Sequence, residues 1–291
     1  MSSSYYDTVR IASWVITIAG GILSIGVLGF AVRDLVRPVY FSKNGNAVQP
    51  RNPSGALKGV ILGLVCALVR TIFILIILSN RVYFFGINLI WEFFGVCTAV
   101  LAYVSLLRVT RRFQSSGGEG DGATVTTVSN MNSLDCVVMT LLSTLGFACW
   151  GLDLGVDLRY YYGDGPGPRY PAIRNAMRGL AVAYNAWLVV TSLYITWRLL
   201  SKRRQARYSV AASPSDLNAR VTFTLKTIPT MVFISIIALV ANAVTTFIGF
   251  GFETNYRAWE ALQVLTLLAM LIGEILLLEY SRGALRRLAS S

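Results

Sequence analysis

The chain contains no histidine. That removes the commonest proton shuttle and the commonest ligand of catalytic zinc. Charge is scarce as well: Asp, Glu, Lys and Arg together make up 14% of the 291 residues, and neither a paired-Asp motif nor a G-x-S-x-G elbow is present. The four cysteines, Cys66, Cys97, Cys136 and Cys149, form no C-x-x-C pair and lie in or beside apolar stretches, so they say little about redox compartment. These absences predict a protein that is not an enzyme and that uses neither metal nor cofactor.

What fills the chain instead is apolar. Hydrophobic residues account for 55% and mean hydropathy is +0.59, too high for a soluble domain of this size and typical of a membrane protein. A hydrocarbon core about 30 Å thick needs about 20 helical residues to cross. Seven stretches qualify: 11–32, 57–79, 86–107, 134–155, 178–200, 226–250 and 258–280. Pro229 is the only proline within any of them. The first stretch lacks a small-residue cleavage site followed by a soluble domain, so it is expected to be a retained helix rather than a signal peptide.

The net charge of +12 would suggest nucleic acid in a soluble chain, but here the basic residues fall between spans, where they set topology. The segments after spans one, three, five and seven hold 18 Lys and Arg, the other side 7, and Arg70 is the remaining one of the 26. The positive-inside rule then puts the N-terminus outside or in a lumen and the C-terminus in the cytosol. The expected fold is an all-α integral membrane protein, a single seven-helix bundle over residues 1–291 with a flexible cytosolic loop at 113–131. The segment "RYYYGDGPGPRYP", 159–171, combines aromatic residues with turn formers and is expected to be an interfacial tyrosine belt or a lid.

Ionisable residues at bilayer depth cost about 2.5 to 3.5 kcal/mol on insertion scales, so they face the bundle interior and find partners. Arg70 lies close to the helix face of Gly59, Gly63 and Ala67, a small-residue series that lets another helix approach; it should therefore point into protein. Counting about 1.5 Å per residue puts Glu92 of span three at the level of Arg70, which predicts an Arg70–Glu92 ion pair. Asn185, Asn242, Glu260 and Gln263 reach a similar outer-half level, with Asp153 a little higher. Together they outline a polar pocket or, equally consistent with their chemistry, interhelical glue. Glu274 counts as much nearer the cytosol, where a basic residue or a gating element would take it.

The residues also discriminate among heptahelical families. A retinal protein needs a lysine in its last helix, and 258–280 has none. Span three ends "LLRVTRR" and span seven reads "LIGEILLLEY", without the Asp-Arg-Tyr and Asn-Pro-x-x-Tyr signatures of rhodopsin-like receptors. The stretch "LVCALVRTIFILIIL", 64–78, with the aromatic start and basic exit of span three, resembles the tobamovirus multiplication protein family of plants and the related animal orphan seven-helix receptors of lysosomal membranes. That resemblance implies a non-enzymatic protein of vacuolar, lysosomal or plasma membranes whose cytosolic loops recruit partners, among them a small GTPase or its regulator. The basic cluster Lys202, Arg203, Arg204 and Arg207 fits a contact with anionic lipid headgroups or an acidic partner, or a purely topological role. The expected function is a receptor-like protein or scaffold that recruits cytosolic partners and senses a small ligand in the outer-half cavity. A transporter or channel and a structural subunit of a larger membrane complex are the alternatives.

Overall fold

A computed structural model describes residues 3–36, 54–80, 85–115, 132–162, 170–208, 214–247 and 256–290. They form α1 (Ser3–Val36), α2 (Ser54–Asn80), α3 (Phe85–Ser115), α4 (Ser133–Tyr162), α5 (Tyr170–Tyr208), α6 (Pro214–Phe247) and α7 (Tyr256–Leu267), which continues through a six-residue π-helical segment, Leu268–Gly273, into α8 (Glu274–Ser290). Within these helices, seven stretches are long and apolar enough to cross a membrane: Thr8–Val36, Gly55–Ser79, Leu89–Phe113, Ser133–Val156, Asn175–Leu200, Arg220–Ala241 and Ala261–Arg287. The protein is thus a multi-pass membrane protein of seven-helix-bundle form. Most of the 113–131 loop and the centre of the 159–171 segment lie outside the described residues.

The helices form a ring in chain order, closed by packing of α7 and α8 against α1 and α6. α3 runs through the middle and touches α2, α4, α5 and α8; Ala102, Tyr103, Leu106, Leu107 and Val109 on it are fully buried. The outside of the bundle is equally apolar. Ile11, Val15, Ile18, Ile22 and Ile25 are all exposed, and their alternating spacing of four and three residues draws one stripe down α1. In water such a stripe would be a liability; facing acyl chains it costs nothing.

Hydroxyl groups in this setting must find partners within the protein, since lipid offers none. Several do so by bonding back one turn along their own helix: Thr71 to the Ala67 carbonyl, Thr98 to Phe94, Thr110 to Leu106, Thr191 to Trp187 and Ser281 to Leu277, whereas the buried Ser24, Ser105 and Thr227 hydroxyls have no partner among the described residues. This local bonding lets Ser and Thr sit inside spans without an interhelical partner.

Arginines gather at one end of the bundle, here called the basic end. Arg108 donates to the Gly55 carbonyl at the start of α2, Arg111 and Arg198 meet Asp135 at the start of α4, and Arg282 of α8 reaches Asp34 near the end of α1. Arg111, Arg198 and Arg282 are at least nine-tenths buried. The third and seventh apolar stretches run to Phe113 and Arg287, past 107 and 280, and so include Arg111 and Arg282, which are buried and ion-paired.

Candidate functional site

The bundle is hollow toward the end opposite the arginines. A cavity of about 370 Å³ lies among α3, α4, α5, α6 and α7, and Arg70 of α2 reaches it between α3 and α8. Its depth order is set by the packing. Gly95 lies against the Arg70 guanidinium, Gly146 against Val96 and Tyr184, so Arg70, Glu274, Tyr184 and Asn185 form a floor. Asp153 is seven residues along α4 from Gly146, which puts it about 10 Å toward the mouth; Trp91 and Trp150 line the wall between.

Arg70 is buried, as the small-residue face of α2 predicts, but its partner is not Glu92. Nη1 donates to Glu274 Oε2 at 3.1 Å, with 7% and 2% of the two side chains exposed. The physical reason is the direction in which helical side chains lean. Cα–Cβ bonds tilt toward a helix N-terminus. α2 starts at the basic end, so Arg70 leans down toward that end. The last span starts at the opposite end, so Glu274 leans up to meet it. Glu92, on a helix that also starts at the opposite end, leans away from Arg70. It lines the cavity wall instead. Glu274 accordingly belongs to the cavity floor rather than to a basic residue at the end of the span.

Two further features hold the guanidinium. Its Cζ lies 5.5 Å from the centre of the Trp91 ring, a cation–π distance. One turn further along α3, a Cβ built on Gly95 would stand 3.1 Å from Cζ and 3.2 Å from Nε, so only glycine leaves room for the arginine there without displacement. The π-helical segment ends where Glu274 begins. Such wide turns interrupt the regular bonding of a helix and recur at functional sites. Its last residue, Gly273, lies so close to α6 that a Cβ would stand 2.6 Å from Ile234.

The floor keeps unused hydrogen-bonding capacity. Asn185, 3% exposed, turns its Nδ2 to the Ala181 carbonyl of its own helix at 2.8 Å; Oδ1 is left without a partner. Arg70 Nη2 and Glu274 Oε1 also make no hydrogen bond to any described residue, and Arg70 Nε is sealed and unpartnered. Buried groups in this state are uncommon, because each forfeits its desolvation cost.

Of the residues singled out from sequence, Arg70, Glu92, Asp153, Asn185 and Gln263 all line this one cavity. The side chains of Asn242, Glu260, Lys202, Arg203, Arg204 and Arg207 lie outside the described residues. Trp91, Trp150 and Tyr184 are site residues that the sequence does not disclose, since aromatic residues in apolar helices carry no signal of which ones face inward.

A second polar cluster sits at the basic end. Asp135, with no exposed surface, accepts from Arg111 Nε at 2.6 Å, from the Tyr194 hydroxyl at 2.6 Å and from Arg198 Nη1, joining α3, α4 and α5. Between cluster and cavity, the fully buried Tyr103 hydroxyl bonds Ser192 at 3.0 Å, and Ser192 bonds Ser235 at 2.8 Å. Gly95, Tyr103 and Arg111 succeed one another at intervals of eight residues, about 12 Å each along α3. Three separate polar groups, the cavity floor, Tyr103 with its two serines, and the Asp135 cluster, are thus spaced along the bundle toward the basic end. Among the described residues no group of three or more His, Cys, Asp or Glu side chains is arranged to hold a metal ion. No protein-family profile matches the chain.

Proposed function

We propose that this protein is a receptor-like seven-helix membrane protein in which a small ligand bound at the cavity floor alters the surface that the basic end offers to cytosolic partners. The observation that carries this reading is the cavity floor itself: an enclosed ion pair with open donor and acceptor positions, at a π-helical break in the last span. Ligand pockets in helical bundles have this character, mostly apolar walls with a few convergent polar groups. A ligand that engages the Arg70–Glu274 pair acts on α2 and the last span together. Helix α3, which carries Gly95 against Arg70 and Arg111 on Asp135, would pass that movement to the basic end.

In this reading the basic end faces the cytosol, in keeping with its Lys and Arg content. Lys202, Arg203, Arg204 and Arg207 would contact anionic lipid or a partner such as a small GTPase, in a vacuolar, lysosomal or plasma membrane. The π-helical break also favours a second reading, a transporter that opens the same cavity to each side in turn, because interrupted helices are common at transport sites.

Cys149 lines the cavity, whereas Cys66 is buried, with 7% exposed, and does not line it. In protein reconstituted into lipid nanodiscs, a charged methanethiosulfonate reagent should modify Cys149 and leave Cys66 unmodified, as read by peptide mass. Equal inertness of the two would contradict a ligand cavity open to water. Proximity labelling from the C-terminus, lost on neutralising residues 202–207, would identify the partner.

A further inference from the structure

Resting on the cavity reading above, we propose that the floor takes a small zwitterion of the free amino-acid type, its carboxylate on Arg70 and its ammonium on Glu274 and Asn185.

Charge balance is the first reason. Arg70 and Glu274 neutralise one another at a depth where an uncompensated charge is costly. A simple anion would bring a net negative charge to the floor, and a simple cation a net positive one. A zwitterion brings none. It can set its carboxylate against the guanidinium and its ammonium against the carboxylate, reproducing the charge pattern already present.

The open atoms agree with this. The Nη1–Oε2 contact is the one hydrogen bond of the pair, so Nη2 remains a donor and Oε1 an acceptor, neither bonded to a described residue. The two charged groups of an α-amino acid hang from a single carbon, so one molecule can address both members of the ion pair. Asn185 adds a third position. One N–H of its amide goes to Ala181, while the carbonyl Oδ1, which can only accept, has no partner among the described residues, and an ammonium supplies the donor. A molecule bearing a carboxylate alone would satisfy Arg70 and leave Asn185 Oδ1 without a donor.

The rest of the cavity suits a ligand of this class. Asp153 lines it nearer the mouth and makes no ion pair with a described residue. It draws in species that carry an ammonium group and repels simple anions. Above the floor Trp91, Trp150 and Met270 supply apolar wall for a side chain rising from the bound head group.

The test compares three forms of one skeleton on protein in nanodiscs. Standard L-amino acids are added singly; each is matched with its amide, which keeps only the ammonium, and with its deaminated acid, which keeps only the carboxylate. The readouts are the rate of Cys149 modification and the melting temperature. At least one amino acid should slow modification by about tenfold or more and raise the melting temperature, while its amide and its deaminated acid do neither. Asn185→Ala should weaken that protection by about tenfold relative to the variant's own ligand-free rate, the scale of one hydrogen bond to a charged group. Protection by the amide or the acid as strong as by the amino acid overturns the zwitterion and leaves the cavity reading standing, as does modification of Cys149 that no amino acid slows. Failure of the reagent to reach Cys149 at all removes the cavity reading and this inference with it.

Discussion

At the scale of single residues, the space around Arg70 is as important as its charge. Gly95 gives the guanidinium a flat backbone to lie on, and the 3.1 Å separation from a Cβ placed there leaves little room for a larger side chain. Gly95→Ala should shift the guanidinium by a few tenths of an ångström; Gly95→Val should push it from both Trp91 and Glu274, at a cost of about 1–3 kcal/mol as for other overpacked sites. Thermal unfolding in nanodiscs would measure this. An unchanged melting temperature for the valine variant would mean that Arg70 does not rest on α3. The inward direction of Arg70 is legible from Gly59, Gly63 and Ala67, because small residues on one face mark where helices meet. Its partner is not, for a depth count runs between Cα positions. An arginine side chain is long enough that its lean decides which of two carboxylates it reaches, and here that direction reverses between α2 and the last span.

Between residue and bundle stand the elements, and two of them carry features that a hydropathy pattern hides. "LAMLIG" reads as ordinary apolar helix, and nothing in its composition announces a π turn. The cause is tertiary: Leu271 packs on Gly20 and Gly273 on Ile234, and the wider turn accommodates both contacts. Deleting Met270 would restore a regular helix and rotate α8 by about 100°, taking Glu274 off Arg70. Such a variant should lose cooperative unfolding or melt far below the parent, whereas Met270→Leu should lie within about 1.5 kcal/mol of it, as volume-conserving swaps do. The start of α4 holds the other feature. Positive-inside counting passes over acidic residues and so over Asp135, yet that side chain is the common acceptor for arginines of two neighbouring helices. Asp135→Asn should strand both guanidinium groups, costing about 3–5 kcal/mol and loosening the basic ends of α3, α4 and α5. Hydrogen exchange would show this as faster exchange confined to those ends, and uniform exchange across the bundle would contradict it.

For the whole molecule, the seven helices are legible in the sequence because the membrane imposes a length and an apolarity that few other structures share. The cavity is legible only as a level at which polar residues collect. Its floor depends on which side chains turn inward, and packing decides that. The same contrast separates the two surfaces of the bundle. Ile18 is 46% exposed and Ile234 fully buried. Ile18→Ala should leave stability in lipid nearly unchanged, since acyl chains fill the space, while Ile234→Ala should cost about 2–5 kcal/mol through the cavity it opens. Comparable losses from both would argue that the α1 stripe is covered by protein in the membrane.

The central claim is that Arg70 and Glu274 form the floor, and a double-mutant cycle tests it most directly. Melting of the nanodisc-embedded protein would be measured for Arg70→Met, Glu274→Gln, Glu92→Gln and the two double variants that contain Arg70→Met. Arg70 and Glu274 should couple by about 1–3 kcal/mol, as contacting charged pairs do, while Arg70 and Glu92 should be additive within about 0.5 kcal/mol. Coupling to Glu92 with additivity at Glu274 would contradict the floor described here and, with it, the ligand site built upon it.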